Sequence, residues 1–246
     1  MGENYILDFN DDYDDYPNFT HLNCRKIVGS RFICSDEAKA QLKQMIAQHG
    51  IRGLHFLDSG DYHYITKLMC DQIDEPFDLV LFDHHTDMQE ASFGKLLTCG
   101  DWVCDCIEQN PKLHQVMVAG PDVQSFSQLN FHSGKLKMIT EEDFLQHKAR
   151  RKIAAFQSEY PVYLSVDKDI LAKDQALTNW SQGQLDLKTL QTCLQQVLHT
   201  QHLIGADICG MPEANQLLAE QIQAKQINQK ADKMLIDTLQ PYLSAS

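Results

Sequence analysis

Short apolar runs alternate with longer amphipathic stretches along most of this chain, and helices packed on a parallel sheet are the arrangement that satisfies such a pattern. Residues 54–57, 77–82, 116–119, 161–166 and 203–208 read as strands, and 135–139 as a weaker one. Ser35 is placed to cap a helix over 36–48, with acids in its first turn and Gly50 just past its end. Further helices are predicted over 64–73, 95–107, 141–156, 187–198 and much of 213–240. Thr140 followed by three acids marks the start of the fourth of these, and Pro161 opens its strand where a missing N–H matters least. The expected fold is a three-layer α/β/α domain around a mostly parallel sheet of about seven or eight strands. No repeat, low-complexity tract or Gly/Ser-rich linker divides the chain, so one domain over residues 1–246 is expected.

Charge narrows the function classes. Acids outnumber Lys and Arg 34 to 21, a net charge of −13 that disfavours nucleic acid and anionic membranes while leaving cation binding open. There is no apolar run of about 18 or more residues to cross a membrane. The first residues lack the basic and apolar regions of a secretory signal, and Ile6 stands where myristoylation needs Ser or Thr. Eight cysteines in a chain of this size read as free thiols in a reducing cytoplasm. The trio Cys99, Cys104 and Cys106 contains no Cys-x-x-Cys pair and reads as buried thiols rather than a zinc site. Asp8, Asn10 and Asp12 hint at a calcium loop, but Tyr13 stands where Gly is needed and Phe19 where Glu is, so a solvated acidic loop is expected. Dinucleotide, phosphate-loop and nucleophile-elbow motifs are absent.

Ligands of open α/β sheets bind beyond the C-terminal ends of the strands. Four predicted strand ends here carry carboxylates or imidazoles: Asp58-Ser59-Gly60-Asp61-Tyr62-His63, Asp83-His84-His85-Thr86-Asp87, Asp167-Lys168-Asp169, and Asp207. Any one Asp at such a place serves as a turn or capping residue. The joint pattern asks for more. If the extended conformation persists past residue 82, Asp83, His85 and Asp87 face one side, and Asp167 and Asp169 do the same on their strand. Four carboxylates gathered together repel and raise one another's pKa values, which two divalent cations would relieve. Carboxylates with imidazoles form a mixed O/N set that suits manganese or a similar ion better than a thiolate zinc site.

These residues resemble the ureohydrolase superfamily, which includes arginase, agmatinase and formiminoglutamase and shares its fold with the histone deacetylases. Residues 83–87 look like its Asp-Ala-His-x-Asp motif with His84 in place of Ala, and Ser165-Val166-Asp167-Lys168-Asp169 looks like Ser-x-Asp-x-Asp. Ser59-Gly60-Asp61-Tyr62-His63 and Gly205-Ala206-Asp207-Ile208 are similar to its flanking motifs. The resemblance implies a pair of Mn2+ ions, one held by His63, Asp83, Asp87 and Asp167, the other by Asp83, His85, Asp167 and Asp169. It further implies a hydroxide between the ions, oriented by Asp87, that attacks an amidino or guanidino carbon of a small molecule and breaks a C–N bond. The family's guanidinium-binding Glu falls at Gly210, which leaves Glu213 as the substitute carboxylate. Asn179 and Trp180 occupy the family's substrate loop, and Asp207 would sit beside the substrate. The alternatives are a mononuclear Zn2+ deacylase using Asp83, His85 and Asp167, and a non-catalytic metal-binding homologue. The sequence leaves homo-oligomer formation open.

Overall fold

The computed structural model describes residues 2–10, 13, 16–90, 96–212 and 218–243. Its centre is an eight-stranded sheet in the order β2-β1-β4-β10-β9-β5-β7-β8, every neighbouring pair parallel. The two outer strands on one side, β1 (Tyr5–Asp8) and β2 (Thr20–Asn23), were not among the predicted elements. A two-stranded ribbon holds β3 (Ile33–Cys34), and α1 (Asp36–His49) follows with the predicted cap, since Ser35 accepts the Ala38 N–H and Gly50 turns at φ 82°. Next come β4 (Leu54–Phe56), α2 (Ile65–Cys70) and β5 (Phe77–Phe82).

The helix predicted over 95–107 is replaced by two elements, and Lys95 lies outside the described residues. Leu97–Thr98 forms β6, antiparallel to β3, and only Trp102–Gln109 is helical, as α3. Then follow β7 (Leu113–Ala119), α4 (Val123–Ser127) and β8 (Leu136–Ile139). The helix predicted over 141–156 is also broken. Thr140 caps α5 (Glu141–Leu145) through a reciprocal box with Asp143, His147 turns into the left-handed region at φ 57°, and α6 (Ala149–Ala155) starts afresh. Strand β9 (Val162–Asp167), α7 (Leu187–Thr200), β10 (Leu203–Cys209) and α8 (Leu218–Leu243) complete the chain; residues 213–217 of the last predicted helix lie outside the described residues.

Central strands are buried on both faces, as parallel sheets covered by helices must be. On one face, Val80, Leu164 and Ile208 pack with Ile153 of α6, Leu194 of α7 and Leu235 of α8. On the other, Leu79, Leu81 and Val118 pack with Leu42 of α1, Leu68 of α2 and Val103 of α3. The result is the expected α/β/α layering. All eight cysteines are unpaired, Cys106 buried and Cys99 and Cys104 partly exposed. Among the described residues no helix is long and apolar enough to cross a membrane.

The acidic stretch near the N-terminus is not a solvated loop where it is described. Asp8 is buried at the end of β1, and Asn10 donates from its backbone and side-chain amides to Asp58; Asp12 lies outside the described residues.

Candidate metal centre

Adjacent strand ends set the site. In the β5–β9 register Phe82 pairs with Val166, so Asp83 and Asp167 leave the sheet side by side. After β4 the chain makes a 3-10 turn over Gly60–Tyr62 and delivers His63 to the same edge. The residues beyond the strands do not stay extended, however, and alternation is not what gathers them. Asp83 folds back to accept the His85 backbone N–H, His84 N–H donates to Asp169, and Asp87 adopts φ 49°. Past β9 a second 3-10 turn, Lys168–Ile170, begins with Asp167 accepting the Asp169 N–H. The carboxylates thus stabilise the turns that bring them together.

All six residues predicted to hold metal converge. His63 Nδ1 lies 3.1 Å from Asp83 Oδ2, 3.1 Å from Asp87 Oδ2 and 3.6 Å from Asp167 Oδ2. His85 Nδ1 lies 2.7 Å from Asp169 Oδ2 and 3.5 Å from Asp83 Oδ1. Donor atoms of His63, Asp83 and Asp87 fall within 4.8 Å of one another, as do those of Asp83, His85 and Asp169, so Asp83 belongs to both groups. A third group joins His63 and Asp167 to Cys209, a thiol the sequence reading did not place here. Every member is buried except His85, which is partly exposed.

The electrostatics of this cluster ask for cations. Burial pushes Asp167 up to about 6, with repulsion from Asp83 adding to it. Asp169 is raised well above the usual carboxylate range by burial and by Asp167 and Asp83, and Asp87 is raised by burial and Asp83. Asp83 goes the other way: burial opposes its charge, but hydrogen bonds with His63 and His85 outweigh it. Burial would likewise suppress the imidazolium of His63, yet Asp83 and Asp87 hold it well above the ordinary value, and Asp169 with Asp83 lifts His85 to about 12. Asp83 Oδ2 is buried and accepts no well-directed hydrogen bond, although His63 Nδ1 is near. A hard oxygen and imidazole donor set with such an oxygen fits a pair of divalent cations.

A cavity of about 330 Å³ opens onto all six residues, and Trp180, Phe32, Cys99 and Asp101 line its remaining walls. Of the residues predicted to meet substrate, only Trp180 lies on it. Asn179 stands behind, donating to Asp61 and accepting from the Gly60 N–H. Asp207 is also displaced from its expected place beside the substrate. Because β10 runs on to Cys209, Asp207 sits inside the strand opposite Ser165, fully buried and off the cavity, and accepts the Ser165 hydroxyl. Glu213 lies outside the described residues. At Gly210, φ is 99° and a Cβ would stand 2.6 Å from Asp167 Oδ1, so that position cannot carry a carboxylate side chain without moving the centre.

Sequence reading missed three supports. The Trp102 indole donates to Asp87 at 2.5 Å, Ser165 contacts His63, and Asp61 holds Trp180. Asp61 was visible as a strand-exit acid; nothing in the spacing marked Trp102, whose partner lies 15 residues away.

Comparison with known proteins agrees with this arrangement. Residues 53–212 match the arginase family. An uncharacterised protein of Thermotoga maritima is 32% identical over 213 residues, which cover 85% of this chain and 80% of that protein. Among solved structures, formimidoylglutamase from Bacillus subtilis superposes with a TM-score of 0.63 at 12% identity, covering 92% of this chain and 74% of its own. A hypothetical agmatinase from Burkholderia thailandensis gives 0.56 at 17% identity, covering 80% of this chain and 64% of its own, so this chain spans under two thirds of that protein's length. These two likenesses establish the fold. The match across more than half of the sequence, with a relative at 32% identity, establishes that this chain belongs to the arginase family, within the ureohydrolase superfamily of hydrolases.

Proposed function

We propose that this protein is a manganese-dependent hydrolase of a linear C–N bond in a small amidino or guanidino compound. The observation that carries the reading is the convergence of six buried or partly buried donors in two groups that share Asp83. His63, Asp83, Asp87 and Asp167 would hold one ion, and Asp83, His85, Asp167 and Asp169 the other. Bound there, the ions would supply a hydroxide nucleophile near neutral pH from a water between them.

The chain's own residues supply the rest. Asp87, fixed through Oδ2 by the Trp102 indole, orients the attacking water with its second oxygen and receives its proton. That proton passes to the departing nitrogen as the water oxygen bonds to the amidine carbon and the C–N bond breaks. Trp180 forms the substrate-facing wall, with Asn179 bracing it, and the closed side of the cavity limits bulk water. Eight unpaired cysteines support a reducing cytoplasmic setting.

Elemental analysis after manganese loading is expected to find two ions per chain, and a panel of guanidino and amidino compounds should release urea or ammonia. Asp83→Asn should lose both metals and turnover together. Full metal content in that variant overturns the reading, and a single zinc ion per chain would assign the site to a one-metal deacylase instead.

A further inference from the structure

The mouth of the cavity is built around one buried carboxylate that coordinates no member of the metal cluster. Asp61, 1% exposed, accepts four interactions or neighbours them closely: the Trp180 indole N–H at 3.0 Å and the Asn179 amide at 2.6 Å on Oδ1, the Arg31 guanidinium at 2.8 Å on Oδ2, and, through its carbonyl, the Phe32 N–H at 3.2 Å. Two loops far apart in sequence are thereby pinned to one residue, and each presents an aromatic ring. Phe32, held at φ 62°, meets Trp180 edge to face at 6.1 Å, and Trp180 meets the His85 ring in the same way at 5.7 Å. The indole therefore lies between the opening and the metal-side residues. Gly60 is part of the same design, because a Cβ there would stand 2.6 Å from Trp180 Cδ1.

Both rings stay about two-fifths exposed, an unusual state for aromatic groups tied down this firmly. The hydrogen bond from the indole N–H to a buried anion locks the ring plane and draws electron density onto its face. An electron-rich, immobile Trp face is the best side-chain partner for a delocalised cation.

We propose that Phe32 and Trp180 form a recognition slot for a planar delocalised cation, an amidinium or guanidinium, with Asp61 as the positioning residue that fixes it. The slot rests on the hydrolase reading for its place in a reaction. It adds the charge and shape of the substrate: a flat cation slides along the indole face toward the carboxylates, whereas a neutral isostere gains only dispersion contact and an anion is turned away.

Binding separates this proposal from the activity it serves. Butylguanidinium, its neutral isostere butylurea, and pentanoate are titrated calorimetrically into manganese-loaded and manganese-free protein, with Trp emission recorded in parallel. Butylguanidinium is expected to bind at least about tenfold more tightly than butylurea and to quench emission, with Trp180→Leu weakening it about 10- to 30-fold and Trp180→Phe much less. Asp61→Asn should narrow the cation-to-neutral ratio several-fold, a readout that a purely structural role would not move. Equal affinity for butylurea, or unchanged cation binding in Trp180→Leu, overturns the slot. Selective, Trp180-dependent binding without turnover of any amidine keeps the slot and removes the hydrolase reading; turnover that is indifferent to Trp180→Leu does the reverse.

Discussion

Behind His63 stands a short polar chain. Its Nε2 lies 3.0 Å from Ser165 Oγ, and the Ser165 hydroxyl donates to Asp207 Oδ1 at 2.6 Å. With its proton committed to Asp207, Ser165 is an acceptor toward His63, so the imidazole carries hydrogen on Nε2 and turns the Nδ1 lone pair toward Asp83, Asp87 and Asp167. Partners of this kind fix the tautomer and ring angle of a metal-ligating histidine. Burial pushes the Asp207 carboxyl up to about 6, while Ser165 and His63 favour its charged form. Ser165→Ala removes the relay without touching a metal ligand, and manganese affinity is expected to fall about 10- to 100-fold. Isothermal titration measures it directly; an affinity equal to the parent's would deny the relay a role. The sequence showed Ser165 and Asp207 as parts of two separate motifs. Their contact depends on the parallel register that sets Asp207 opposite Ser165, which neither motif contains.

At the scale of elements, a buried ion pair fastens the last helix to the site. Lys168, between two of the carboxylates, points the other way and donates through Nζ to Asp232 of α8 at 2.7 Å, both side chains essentially unexposed. Tyr16 donates to the other oxygen of Asp232, so the N-terminal segment joins the same tie. Replacing Asp232 by Ala leaves the ammonium without its counter-charge and is expected to cost about 3–5 kcal/mol. Urea unfolding monitored by circular dichroism reads that loss. The double replacement Lys168→Met with Asp232→Leu should recover most of it, because an apolar pair avoids the desolvation of two charges; a double variant as unstable as the single one contradicts this account.

Elements were legible where local signals agreed. Ser35 and Thr140 cap the helices they were expected to cap, and the apolar run 77–82 is β5 to the residue. Elements set by long-range pairing were not. Tyr5–Asp8 is only four residues long, and its place in the sheet comes from β2 and β4 on either side. Leu97–Thr98 looked helical because its strand partner, Ile33–Cys34, is equally short and far away. The six clustered donors were legible as a set because residue type and spacing alone name them, although turns rather than strand alternation bring them together.

Across the whole molecule, the cluster couples folding to cations and to pH. The chain carries a net charge of −13, and four of its acids are crowded into one buried centre. Ions that bind only the folded form stabilise it by about 2.7 kcal/mol per site at a hundredfold excess over Kd. For a chain of this size each kcal/mol raises Tm by about 2–4 °C, so each manganese ion should add roughly 5–10 °C. The direction with pH follows from Asp167, whose folded pKa of about 6 lies above the ordinary 3.8. A group raised in this way contributes stability that is complete below about 3.8 and is lost as pH rises through about 6. Manganese favours the ionised carboxylate and displaces that proton, so its effect grows over the same interval in which the metal-free protein weakens. Differential scanning calorimetry with and without manganese should therefore give a small Tm difference at pH 5 and a large one at pH 7.5. Sodium chloride at matched ionic strength should reproduce neither, because buried carboxylates are screened little by salt. A Tm difference constant from pH 5 to 7.5, or one matched by sodium chloride, would mean that cations act on the surface charge and that the buried centre takes no part.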